Sequence, residues 1–220
     1  MGQGRDLTVR DEMKEGGGEI AFSILEGKDV FQDFGVSHTK EMHLIVVRND
    51  LRHFAHLHPE RDVRGSWHVA YTPPAGGTYW IYADFVDREN NGYTLRFDRT
   101  YSGDVGSVGL AKDFARERTV DGVRVKLEPK ATGSTVTFTY TLTDEKGKPV
   151  QLEEYLGALG HSVLIAPDGD FFHTHPSSER PVFETTLRAG TFYRVFIQFQ
   201  VAGKVLTVSF DWEQPPEEED

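Results

Sequence analysis

The chain has 220 residues, 38% apolar and 12% aromatic, a composition that folds and that fits one large β-sandwich or two domains of about 100 residues each. Twenty-four Lys and Arg against 35 Asp and Glu give a net charge of −11, so nucleic acid and anionic membrane surfaces meet net repulsion. Cysteine is absent, which excludes disulfides, thiolate zinc sites, iron–sulfur clusters and the blue-copper site, and leaves nitrogen and oxygen to hold any metal.

The first residues, MGQGRDLTVRDEM, show no basic-then-apolar leader, and no stretch approaches the roughly 18 apolar residues of a membrane span. A periplasmic or secreted location is expected if an export signal has been removed, and a cytoplasmic one otherwise. Short runs of β-branched and aromatic residues at 20–24, 43–47, 67–71 and 79–85 read as strands, separated by Gly, Pro, Asn and Asp. The segment 101–120 reads as a linker, with weak helical spacing at 110–118. Strands follow at 135–140, 162–165, 192–199 and 205–210, with a second short helical spacing at 152–159. Residues 214–220, EQPPEEED less its first Glu, read as an acidic disordered tail.

The pattern is repeated. MHLIVVRNDLRHFAHLHPE, starting at Met42, reappears as GHSVLIAPDGDFFHTHPS, starting at Gly160. AGGTYWIYADF, from Ala75, matches AGTFYRVFIQF, from Ala189, and the strands upstream match in the same order. Three matches in register predict two copies of one domain, at 5–100 and 121–213. Many short strands with frequent turns predict an all-β fold of two tandem antiparallel β-sandwiches, immunoglobulin-like or cupredoxin-like.

Six of the nine histidines occupy repeat-related positions. In the second copy Pro167, Asp168, Gly169 and Asp170 make a hairpin turn that sets His161 opposite His175. In the first, a turn at Asn49 and Asp50 sets His43 opposite His58. Opposed residues and i, i+2 residues share a sheet face, so each hairpin gathers three imidazoles: His43, His56, His58 and His161, His173, His175. Three neutral imidazoles suit Cu(II), Zn(II) or Ni(II) and leave a fourth position open. The spacing leaves open whether the two triads are separate sites or one shared site. The competing reading is structural, with the H-x-H-P stretches locking the hairpin through hydrogen bonds.

His38, His53 and His68 have no counterpart in the other copy, and His68, on the strand face opposite the stripe Trp67, Val69, Tyr71, is expected to face solvent. Asp84 and its counterpart Gln198 are polar positions in apolar strands that can orient an imidazole from behind. No catalytic reading gains support. A cupin pattern fails on spacing, no G-x-S-x-G occurs, and GGGEI lacks the Walker lysine.

The strings HLIVV at His43, D-L-x-x-F-x-H-x-H-P at Asp50 and AGGTYWIYADF at Ala75, with YLGALGHSVLIAPDGDFFHTHP in the second copy, resemble bacterial exported β-sandwich proteins. Those proteins have YtkA-like and cupredoxin-like domains and lie beside copper and heavy-metal handling genes. The resemblance implies metal association. The expected function is non-catalytic metal binding in homeostasis or resistance, with Cu(II) first and Zn(II) second. A β-sandwich interaction module is the alternative, and a metal-dependent enzyme the third. Expected partners are the ion and a metal-delivery or membrane protein, with no nucleic acid and no membrane insertion.

Overall fold

The structure, a computed structural model, describes residues 5–14, 18–176 and 178–216. The opening MGQG, residues 15–17, Ser177 and the acidic end at 217–220 lie outside the described residues. The chain divides into two compact units, Met1–Leu110 and Ala111–Asp220.

The first unit contains β1 (Leu7–Asp11), β2 (Gly18–Glu26), β3 (Asp29–Val30), β4 (His43–Arg48), β5 (Phe54–Leu57), β6 (Glu60–Arg61), β7 (Ser66–Tyr71), β8 (Gly77–Val86) and β9 (Gly92–Tyr101). One sheet runs β1-β2-β7-β6 with β3 added to β2, and the other runs β5-β4-β8-β9. Ile20, Phe22, Ile24 and Trp67 from the first pack against Leu44, Val46, Ile81 and Phe85 from the second.

The second unit contains β10 (Glu117–Val120), β11 (Val123–Thr132), β12 (Thr135–Thr143), β13 (His161–Ile165), β14 (Phe171–Thr174), β15 (Val182–Thr186), β16 (Phe192–Val201) and β17 (Lys204–Glu213). Its sheets are β10-β11-β12-β15 and β14-β13-β16-β17. In β12 strict alternation sends Val136, Phe138, Tyr140 and Leu142 into the core, while the intervening threonines face away.

Both units therefore share seven strands in the same order, three (β1-β2-β7, β11-β12-β15) facing four (β5-β4-β8-β9, β14-β13-β16-β17). All the strand pairings are antiparallel. The protein is two tandem antiparallel β-sandwiches, and the strand order is the immunoglobulin-like one.

No helix occurs among the described residues. The spacing at 110–118 does not become a helical turn. The chain there is pinned by Arg194, which donates to the Ala111 carbonyl at 2.6 Å, and by the Asp113 amide donating to Asp211 at 2.6 Å. The spacing at 152–159 closes instead into a tight turn, with Tyr155 and Ala158 exchanging backbone bonds of 2.8 and 3.2 Å. The apolar spacing at 152–159 is helical, yet the Glu153 amide donates to the Gln200 carbonyl at 2.9 Å and Leu156 and Gly157 take positive φ, so non-local pairing and turn geometry decide the backbone. Gln214, at the start of the expected tail, is buried and donates to the Gly133 carbonyl at 2.8 Å.

Candidate metal centres

In each unit a hairpin carries the histidines. In the second, Gly169 adopts φ 89° and its amide donates to the Ala166 carbonyl at 2.9 Å, closing the turn. The register that follows pairs Ser162 with Thr174 and Val163 with His173, so His161 lies opposite His175. In the first unit the turn has one residue more, and Leu51, at φ 60°, takes the left-handed position. Leu44 pairs with Leu57 and Ile45 with His56, which sets His43 opposite His58. In each copy all three imidazoles share the face turned away from the unit's own core cluster.

The rings of each triad form a compact triangle. The centroid separations are 5.3, 5.1 and 4.7 Å for His43–His56, His43–His58 and His56–His58. They are 5.7, 4.5 and 4.5 Å for His161–His173, His161–His175 and His173–His175. One nitrogen from each of His161, His173 and His175 lies within 4.8 Å of the others. In the first unit His43 Nδ1 and His56 Nε2 are 3.0 Å apart. Two nitrogens bound to one zinc-sized ion at 90–109° would stand about 2.9–3.4 Å apart, given bonds of about 2.0–2.1 Å. The His43–His56 pair already has that spacing.

A turn upstream fixes which nitrogen faces the cluster. His43 Nε2 donates to the Ser37 carbonyl at 3.1 Å, and His161 Nε2 donates to the Tyr155 carbonyl at 2.8 Å. Because a carbonyl only accepts, each neutral ring carries its proton on Nε2 and presents the Nδ1 lone pair to its partners. A ligating histidine held through its other nitrogen is the usual arrangement behind a metal. Without an ion, the 3.0 Å contact is then a bond donated by His56 Nε2 to His43 Nδ1.

Both carbonyls belong to the same local device. Ser37 and Lys40 exchange backbone bonds of 2.9 and 3.0 Å, as Tyr155 and Ala158 do. Positive φ at both central residues, His38 (47°) and Thr39 (69°), then Leu156 (53°) and Gly157 (73°), defines a type I′ turn. The sequence patterns above did not reveal this pair, because the groups doing the holding are main-chain carbonyls.

Behind each leading histidine stands the polar residue of the next strand. His43 is directly opposite Asp84 and His161 opposite Gln198. Thr94 donates to Asp84 Oδ1 at 2.7 Å, and Gln198 Nε2 donates to the Thr207 hydroxyl at 3.0 Å. Burial holds His43 below the usual histidine range, against the opposing pull of the Ser37 carbonyl and Asp84. Burial pushes the Asp84 carboxyl above its ordinary value, with Thr94 and His43 acting in the other direction.

The residues that precede the two leading histidines, and two of the histidines without a counterpart, fall elsewhere. Met42 is fully buried in the core, on the strand face opposite His43, and its counterpart is Gly160. There a Cβ would sit 2.9 Å from both the Gln198 carbonyl oxygen and the Phe199 ring. His68 lies outside the core cluster, with Nδ1 3.4 Å from Glu19 and Nε2 3.8 Å from Asp62. His38 belongs to the type I′ turn.

A family model described as a domain of unknown function, DUF8832, matches residues 3–103 and again 118–215. The chain belongs to this family. Each matched segment carries one complete histidine triad, so the repeat is a repeat of the family's domain. No curated protein matches the chain. Among solved structures, a DUF4426 family protein from Pseudomonas aeruginosa is 14% identical, covering 47% of this chain and 100% of that one at a TM-score of 0.39. A two-domain fibronectin type-III segment of chicken tenascin is 12% identical over 96% of this chain and 98% of that one, with a TM-score of 0.27. A Ca2+-stabilized adhesin of an Antarctic bacterium is 14% identical over 97% and 49%, with a TM-score of 0.28. No helix of the described residues is long and apolar enough to cross a membrane.

Proposed function

We propose that the protein is a non-catalytic metal-binding protein that holds an ion on each three-imidazole triad, copper first and zinc second, in metal homeostasis or resistance. The observation that carries this reading is the repeated second-nitrogen anchor. His43 and His161 are each turned by a backbone carbonyl six residues upstream so that Nδ1 faces two further imidazoles. A histidine that only filled space would have no need of the same tautomer in both copies. The donor set, three neutral imidazoles with no thiolate, suits Cu(II) and Zn(II).

The alternative is a β-sandwich interaction module in which the imidazoles lock the hairpin, and the 3.0 Å His43–His56 bond favours it. Titration separates the two. Protein purified without a nickel column and stripped with chelator is titrated with Cu(II) and with Zn(II), and its thermal midpoint is read at each addition. A ligand that binds only the native state raises the midpoint once its concentration exceeds the dissociation constant. Saturable binding at or below the micromolar range with a rising midpoint is the expected result. No saturable binding defeats the metal reading and leaves the structural one.

A further inference from the structure

We propose that the two triads are a charge-differentiated pair, in which Asp84 biases the first centre toward a divalent ion and Gln198 leaves the second neutral and more accepting of Cu(I). The inference rests on the metal-binding reading. It concerns what distinguishes two sites whose imidazoles are otherwise copies.

The geometry of the two copies matches around one difference in charge. In both units the leading histidine heads the inner strand, its Nε2 is held by a type I′ turn carbonyl, and two more histidines follow on the hairpin's return. In both, the residue directly opposite the leading histidine is held by a threonine on the next strand, Thr94 or Thr207. The side chain between them is a carboxyl in one copy and, one methylene longer, a neutral amide in the other. Directly opposed residues have Cβ atoms about 4.5–5.5 Å apart, so the Asp84 carboxyl stands within a few ångströms of the first imidazole of its triad. A negative charge at that range stabilises a 2+ ion about twice as strongly as a 1+ ion, because the Coulomb energy scales with the ion's charge. A neutral amide has no such bias. Three imidazoles alone also satisfy the low coordination number that Cu(I) accepts, whereas Zn(II) and Cu(II) gain more from nearby anionic charge.

The experiment isolates each centre in the full chain. Protein with the second triad removed (His173→Ala, His175→Ala) is compared with and without Asp84→Asn. Asparagine keeps the Oδ1 that accepts from Thr94. Protein with the first triad removed (His56→Ala, His58→Ala) is compared with and without Gln198→Glu. Each is titrated with Zn(II) and, anaerobically, with Cu(I) against a chromophoric chelator. Asp84→Asn is expected to weaken Zn(II) at least tenfold and Cu(I) less than threefold. Gln198→Glu is expected to strengthen Zn(II) at the second centre at least threefold, with a smaller change for Cu(I). The reciprocal gain keeps the test decisive if the Asp84 variant folds poorly. Equal effects on the two ions, or no gain from Gln198→Glu, overturns the charge assignment while leaving metal binding intact. Absence of saturable binding to either isolated triad overturns the metal reading, and this inference with it.

Discussion

The carbonyl oxygen of Tyr155 accepts the Nε2 proton of His161 at 2.8 Å, six residues along a chain that has just reversed through Leu156 and Gly157. Ser37 does the same for His43 at 3.1 Å. A ring held this way has lost the freedom to choose its tautomer, and its remaining nitrogen is aimed before any ion arrives.

Nitrogen-15 spectra of the imidazoles at pH 7.5 should accordingly show His43 and His161 as Nε2–H tautomers in the metal-free protein. Adding Zn(II) should move the Nδ1 resonances of these two rings and leave their Nε2–H signals in place. An Nδ1–H tautomer in either ring would mean that the turn carbonyl does not set the orientation.

Replacing both His56 and His58 by Ala should abolish binding at the first centre while the second keeps its ion. The same pair of changes at His173 and His175 should do the reverse. If the imidazoles instead hold the hairpin, the apo protein should lose about 1–3 kcal/mol for each hydrogen-bond partner left unsatisfied, with no effect specific to metal. Substituting His68, which faces Glu19 and Asp62, should alter neither quantity.

Two pH effects should run in the same direction. Burial depresses the His43 value, so a neutral His43 contributes stability that is fully present above the unfolded-state value near 6.5 and is lost as pH falls through the depressed native value. Urea midpoints of the apo protein between pH 7.5 and 5 should fall, and His43→Gln should flatten that fall. Metal affinity should drop steeply from about pH 7 to 5, because protons compete for the imidazole lone pairs. An affinity unchanged over this window would identify carboxylate ligands instead.

Thr39 sits at φ 69°, a region that costs a β-branched residue of the order of 1–2 kcal/mol, whereas its counterpart in the second unit is Gly157. Thr39→Gly should therefore raise apo stability by about 1 kcal/mol, somewhat offset by the greater freedom of glycine in the unfolded chain. Urea unfolding reads the change. A loss of stability would show that the threonine side chain makes contacts worth more than the strain.

Much of the hairpin was legible. The Asp168-Gly169 turn and the alternating strands around it dictate a register in which His161 meets His175, and that register is observed. The one-residue difference between the loops could be followed because the repeat supplied a second example. The type I′ turn at Ser37–Lys40 was not legible. Thr39 is a poor residue for positive φ, no glycine marks the turn, and the groups that act are peptide carbonyls, which every residue has. The helical spacing at 110–118 misled for a different reason: a few apolar residues match a helical period by accident, while the buried Arg194–Asp211 pair, 2.8 Å apart, decides where that segment lies.

β5 and β14 are four-residue strands at the edge of their sheets, and each carries one histidine of a triad with a second just past its end, while the third sits on an inner strand paired on both sides. Edge strands of this length open locally at small cost. An ion joining inner and edge strand would act as a rivet across the hairpin. Amide hydrogens of β5 and β14 should then exchange more slowly in metal-loaded protein while those deep in β8 and β16 change little, so that occupancy could be read from the rate at which one short strand takes up deuterium.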